Sequence, residues 1–172
     1  VIRYLNDFIT LIKVEKNSLS RKKELKNLNT FLYETVSDFT PVASLQKIKL
    51  FYKTNLNEEI NYSYDYINLT RIINNLLSNA LKFSYQNNAI YVSTLFSGKE
   101  LQLIVEDHGV GISEKELPHI FSRFYQAENQ NSSGGFGIGL ALVNDLVTHL
   151  KGTINVSSKK QLGTTFELIL PF

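Results

Sequence analysis

Apolar residues along the chain switch between helical and strand spacing, and each switch marks an element. Ile2, Leu5, Ile9 and Ile12 fall at alternating three- and four-residue steps, with Phe8 and Leu11 widening the stripe, so residues 1–16 read as a helix with an apolar seam. The polar "NSLSRKKE" at 17–24 reads as a turn or linker. A short strand near 24–28 precedes a helical region from Thr30 to about Lys47, with Phe31, Leu32, Val36 and Phe39 inward and Pro41 splitting or kinking it. "IKLFYKT" at 48–54 and "INYSYD" at 60–65 have the β-branched and aromatic content of strands.

A strong helix follows over 66–83, with Leu69, Ile72, Ile73, Leu76, Leu77 and Ala80 as its buried stripe. "AIYVSTLFS" at 89–97 and "LQLIVED" at 101–107 predict two strands joined by a turn at Gly98 and Lys99, and "SEKELPHIF" at 113–121 predicts a short helix opened by a serine cap. Residues 122–136, "SRFYQAENQNSSGGF", offer few buriable side chains and read as a mobile loop. A helix from about Gly137 to Leu150 and strands at 153–158 and 164–172 close the chain. Helices mixed with strands, and consecutive strands late, favour an α/β (α+β) two-layer sandwich: one mixed sheet covered by helices.

Composition narrows the classes. With 172 residues, 43% of them apolar, and a formal charge of +2, the chain is sized for one well-packed domain or one domain with a short appendage. The basic runs "RKK" at 21–23 and "KK" at 159–160 are too isolated to form a nucleic-acid stripe. No apolar run approaches the ~20 residues that cross a bilayer. Cysteine is absent, which removes disulfides and thiolate chemistry and suits the cytoplasm; methionine is absent too, so the chain reads as part of a longer polypeptide.

Three motifs carry chemistry. In "NNLLSNALKF" (74–83), asparagine is a mediocre helix former, yet Asn75, Asn79 and Lys82 lie in one column beside the buried stripe. Two amides and an ammonium on a single face could hold Mg²⁺ and the phosphates it neutralises; the same column could also simply face solvent. In "DHGVGI" (107–112), Asp107 ends a strongly apolar strand, where a buried carboxylate needs donors such as a purine amino group, and Gly109 and Gly111 permit a tight turn and close approach of a ligand. An ordinary strand-to-loop turn would look similar. In "GGFGIGL" (134–140), Gly135, Gly137 and Gly139 alternate just before an apolar helix, which suits either an anion site of free N–H groups or a flexible hinge. Neither a Rossmann nor a Walker A pattern is present.

In order and spacing, "NNLLSNALKF", "DHGVGI", "IFSRFYQ", "GGFGIGLALV" and "GTTF" resemble the N, G1, F, G2 and G3 boxes of the catalytic, ATP-binding domain of sensor histidine kinases, within the gyrase, heat-shock chaperone, histidine kinase and MutL group. The resemblance covers about residues 24–172 and implies a Bergerat-type fold, mostly antiparallel. It further implies that Asn79, with Asn75, binds Mg²⁺, that Lys82 reaches the phosphates of ATP, and that Phe83 lines the pocket. Asp107 would recognise adenine, with Thr164 or Thr165 nearby and Gly109, Gly111 and Ile112 shaping the base pocket. Gly135, Gly137, Gly139 and Leu140 would hold the phosphates, under a lid at 122–136 that carries Arg123 and is anchored by Phe121 and Phe124.

Residues 1–16 resemble the end of the second helix of the dimerisation and phosphoacceptor domain, joined through a linker at 17–23; that domain normally forms a bundle between two chains, so the parent would be a homodimer. A response regulator receiver domain is the implied downstream partner, and a cytoplasmic position, with a parent that the inner membrane could anchor, the implied location. No residue is assigned a catalytic role: His108, His119 and His149 lie outside any His-Glu or His-Asp box, so the acceptor histidine is not among them. Two alternatives remain: an ATP-hydrolysing clamp of the gyrase or MutL kind, and a degenerate module kept for protein contacts.

Overall fold

A computed structural model describes residues 9, 12, 22–56, 60–126 and 136–172. Ile9 and Ile12 are helical, and the rest of the predicted 1–16 helix lies outside the described residues. The elements run β1 (Glu24–Asn27), α1 (Leu28–Ser37), α2 (Thr40–Leu45), β2 (Lys49–Thr54), β3 (Asn61–Tyr64), α3 (Tyr66–Phe83), β4 (Ala89–Phe96), β5 (Glu100–Asp107), a 3-10 turn (Leu117–His119), α4 (Gly139–His149), β6 (Thr153–Lys159) and β7 (Gly163–Pro171).

A mixed five-stranded sheet has the order β2-β4-β5-β7-β6, with β2 parallel to β4 and the other neighbours antiparallel. The parallel pair needs a long crossover, which β3 and α3 supply. β1 and β3 do not join this sheet but form their own antiparallel ribbon, tied to α3 by the Tyr66 hydroxyl, whose single proton is shared between the carbonyls of Tyr62, at 2.9 Å, and Lys26, at 3.2 Å.

One face of the sheet is covered. Ile90 and Val92 of β4, Leu101, Leu103 and Val105 of β5, and Phe166, Leu168 and Leu170 of β7 meet the apolar faces of α3 and α4 in a single core. The other face stays open, with Phe51 stacked on Tyr91 at its β2 edge. Among the described residues helices cover one side, and there Asp107 at the end of β5 and Thr164 at the start of β7 are buried. Among the described residues no helix is long and apolar enough to cross a membrane.

The first helical region starts two residues earlier than its sequence suggests, because the Asn27 side chain caps α1 by accepting from the Thr30 N–H at 2.9 Å. It then divides before Thr40, with Pro41 in the first turn of α2, where a missing N–H is harmless. The helix expected over 113–121 is reduced to the Leu117–His119 turn. Ser113 donates its N–H and hydroxyl to the Glu116 carboxylate, as a helix start would, but Pro118 has no N–H to extend the ladder. α4 begins at Gly139 rather than Gly137, because Gly137 takes the left-handed φ of 65°.

Candidate functional site

α3 sets the frame. Its N-cap, Asp65, accepts from the Asn68 backbone at 3.1 Å and from the Asn68 side chain at 2.7 Å. Further along, Asn75 is only 8% exposed, and its Nδ2 donates to the Arg71 carbonyl at 2.8 Å. Only the amide nitrogen can donate there, so Oδ1 must face the other way. It lies beside the first residue of α4: a Cβ on Gly139 would sit 3.0 Å from it. α4 has no side-chain cap at Ile138, leaving its first N–H groups, those of Gly139 and Leu140 included, available to an anion. Asn79, one turn beyond Asn75, is half-buried, and its amide has no partner among the described residues. Lys82 is exposed, lies 4.8 Å from the Phe83 ring centroid and has its pKa lowered by partial burial.

The C-terminal end of α3 is stitched to the end of β5. Val110 donates its N–H to the Phe83 carbonyl at 3.0 Å, and Ser84 bridges to Gly109. Asp107 stands at this junction, 7% exposed, in register with Ile90 of β4 and Thr164 of β7. Burial raises its pKa from 3.8 to about 6, against the opposing effect of N–H donors from Gly109, at 2.9 Å, and Thr164. A carboxylate has room for about four hydrogen bonds, so acceptor capacity remains.

The glycines here serve the protein's own backbone more than a ligand's approach. A Cβ on Gly109 would lie 2.0 Å from the Phe83 carbonyl oxygen, and one on Gly163 1.9 Å from that of Asp107. Gly111 meets the β6–β7 turn in the same way, where the Gln161 N–H donates to the Val110 carbonyl at 2.7 Å. Ser158 completes the junction: its hydroxyl donates to the Gly163 carbonyl and accepts from the Ile112 N–H at 2.8 Å each. With that one proton committed, the Thr164 hydroxyl is the donor across the 2.9 Å contact to Ser158. Ile112 itself packs on the core.

The structure corrects the expected site in two places. Thr165 pairs with Glu106 and Ser157 on the open face of the sheet, so of the two threonines only Thr164 shares the face of Asp107. Phe124 is 62% exposed at a φ of 63° and anchors nothing by burial; Phe121 and Tyr125 pack on the core instead. Backbone holds this segment, through the Phe124 N–H donated to the Gly137 carbonyl at 2.8 Å, together with Arg123 paired to Asp145 of α4 at 3.2 Å. Gly135 lies outside the described residues.

Residues the sequence reading missed fall into two kinds. Gly163 stands in "GTTF" and Arg71 lies one further helical step before Asn75, so both left a signal; Ser158 left none, because its role depends on the β6–β7 pairing.

A family described as histidine kinase-, DNA gyrase B-, and HSP90-like ATPase matches residues 64–172. The chain belongs to this family. Its relatives include the autoinducer 2 sensor kinase/phosphatase LuxQ of Vibrio cholerae, 32% identical over 99% of this chain and 20% of that protein. The sensor histidine kinase CusS of Escherichia coli O157:H7 is 32% identical over 98% of this chain and 35% of that protein. The chain thus spans a fifth to about a third of the length of these relatives. The family fold recurs in the histidine kinase AdeS of Acinetobacter baumannii, with a TM-score of 0.77 and 22% identity over 97% of this chain and 76% of that one. It recurs also in full-length ShkA in complex with AMPPNP, with a TM-score of 0.83 and 21% identity over 99% of this chain and 35% of that one.

Proposed function

We propose that residues 24–172 are the ATP-binding catalytic domain of a two-component sensor histidine kinase, that 17–23 are a linker, and that 1–16 end the second helix of a dimerisation and phosphoacceptor domain. One observation carries the reading. A buried carboxylate, Asp107, stands where β5 is stitched to the end of α3, and two turns earlier α3 brings Asn75 to the uncapped start of α4, with Asn79 in the same column. The first suits the exocyclic amine of adenine, the second a chain of phosphates. The names of the relatives support the kinase assignment, and the AMPPNP of ShkA supports an ATP-like ligand.

In this reading Asp107 accepts from the adenine amine, and the Thr164 hydroxyl is positioned by Ser158. Phe83 and Ile112 flank the base, with Gly109 and Gly111 fixing the strand end beside them. Gly139 and Leu140 offer N–H groups to the phosphates, with Gly137 and Gly135 leading into the helix and Lys82 adding charge. Asn75 and Asn79 supply carbonyl oxygens, and no group of three His, Cys, Asp or Glu able to hold a metal occurs among the described residues. That donor set fits Mg²⁺, which would neutralise phosphate charge when bound. The domain then positions the γ-phosphate for a histidine of the dimerisation domain, in a homodimeric parent on the cytoplasmic side of the inner membrane, and a response regulator receiver domain takes the phosphoryl group onward.

Asn75 also argues against a gyrase-like hydrolase, whose general base is a glutamate at this position. An amide takes no proton from water near neutral pH, and Nδ2 is already committed to the Arg71 carbonyl.

Calorimetric titration of the chain with ATP and GTP, in Mg²⁺ and then in EDTA, tests the reading. Magnesium-assisted binding of ATP, weak binding of GTP and loss of binding in Asp107→Asn are expected. A folded chain that binds neither nucleotide would leave the interaction-module reading in its place, and steady ATP turnover would favour the clamp.

A further inference from the structure

We infer that Arg71 is the cation that meets the terminal phosphate, and that Asn68 and Asp65 exist in this arrangement to aim it. The inference rests on the ATP-binding reading above. Arg71, Asn75 and Asn79 stand four residues apart, so one column of α3 carries a guanidinium beyond the two amides. The base end of the site is fixed at Phe83 and Ser84 by their contacts with Val110 and Gly109. At about 1.5 Å per residue, Arg71 lies roughly 18 Å along the helix from Phe83 and about 6 Å past Asn75. It therefore belongs to the end of the column where a nucleotide tail finishes.

Its setting is unusual for a surface arginine. The Asp65 carboxylate takes both the backbone and the side-chain N–H of Asn68, which obliges the Asn68 Oδ1 to turn toward Arg71, and Nη1 donates to it at 3.0 Å. Asp65 and Asn68 are each 2% exposed, so this support is rigid. An amide stands between the carboxylate and the guanidinium. Arg71 is thus held by a hydrogen bond without being paired to the acid, and its other N–H groups have no partner among the described residues. Lys82 is the only other lysine or arginine on α3, and α4 has neither. Arg123, near the start of α4, is already paired with Asp145. A terminal phosphate, the most charged group of the tail, has in Arg71 a fork-shaped donor of opposite sign.

The test compares ATP with ADP in Mg²⁺, by calorimetry on wild type, Arg71→Gln, Arg71→Lys and Asn68→Leu. Arg71→Gln should weaken ATP by on the order of 10-fold and ADP by less than about 2-fold, because only ATP carries the group that Arg71 meets. Arg71→Lys should restore part of the ATP preference, since it keeps the charge without the fork. Asn68→Leu should erode the preference less than Arg71→Gln does, although it leaves Arg71 in the chain. Equal losses for ATP and ADP, or no change in either, would overturn the inference and reduce Arg71 to a helix-surface residue. A folded wild-type chain that binds neither nucleotide would take down the ATP-binding reading itself, and Arg71's role with it.

Discussion

The two ends of α3 build a site by opposite means. At its C-terminal end, around Asp107, backbone meets backbone: α3, the end of β5 and the β6–β7 turn lie so close that only glycine fits at 109 and 163. Toward its N-terminal end, side chains do the work, in a column from Asn79 through Asn75 to Arg71, braced by Asn68 and Asp65. The difference teaches where stability and ligand affinity separate. The first end should fail as a fold when altered, the second as a binding surface.

The comparison would break first at the glycines. Gly163→Ala or Gly109→Ala places a Cβ about 2 Å from a carbonyl oxygen of the chain itself, with the φ of 118° at Gly163 adding strain, so losses on the order of 4 kcal/mol are expected in urea denaturation. Gly98, where a Cβ meets nothing within 4 Å, is the control: only its φ of 88° opposes alanine, at about 1 kcal/mol. Equal losses at 98 and 163 would show that the crowding at the junction is not what matters.

Asp107 joins both behaviours and sharpens the contrast through pH. Its folded pKa, raised to about 6 from 3.8, means the native state holds the proton more tightly than the unfolded one. Stability should therefore fall as pH rises from about 4 to 6, by up to about 3 kcal/mol from this group, and Asp107→Asn should lack that component. Binding should run the other way. The ionised carboxylate is the stronger acceptor for the adenine amine, so ATP affinity should fall as pH drops below about 6, and binding near pH 6 should release protons, measurable in buffers of different ionisation enthalpy.

At the other end, Asn79→Ala should leave thermal stability within about 0.5 kcal/mol of wild type, since its amide spends nothing on the fold, while much of the magnesium dependence of ATP affinity disappears. A large loss of stability would put Asn79 with the structural residues instead. The smallest effect concerns Phe124. Phe124→Gly should be neutral or slightly stabilising, because the left-handed φ of 63° suits glycine and little area is lost, whereas Phe121→Ala should cost about 2–3 kcal/mol through the core. Parallel thermal melts would separate the two phenylalanines.

The sequence by itself determined what repeats locally. α3 spans 66–83 as its apolar spacing requires, its six-residue stripe is buried, and the strands at 89–96 and 100–107 follow their alternation. The motif order likewise carried the family, because residue type and spacing along one helix or one strand end are properties of the chain alone. What tertiary structure decided was which chain segment faces which. Gly109 and Gly111 read as room for a ligand until the backbones of Phe83 and Lys159 came to fill it, and Thr164 parts from Thr165 only when β7 presents one face inward. Pro118, which lies within the run, nonetheless escaped as the reason 113–121 is not a helix, and Phe124 yielded its anchoring place to Tyr125 because a positive φ turns it outward. Ser158, silent in the sequence, acquires three hydrogen-bond partners at the junction. Such contacts join residues far apart in the chain, and no local preference can encode them: they exist only once the sheet's register has been set.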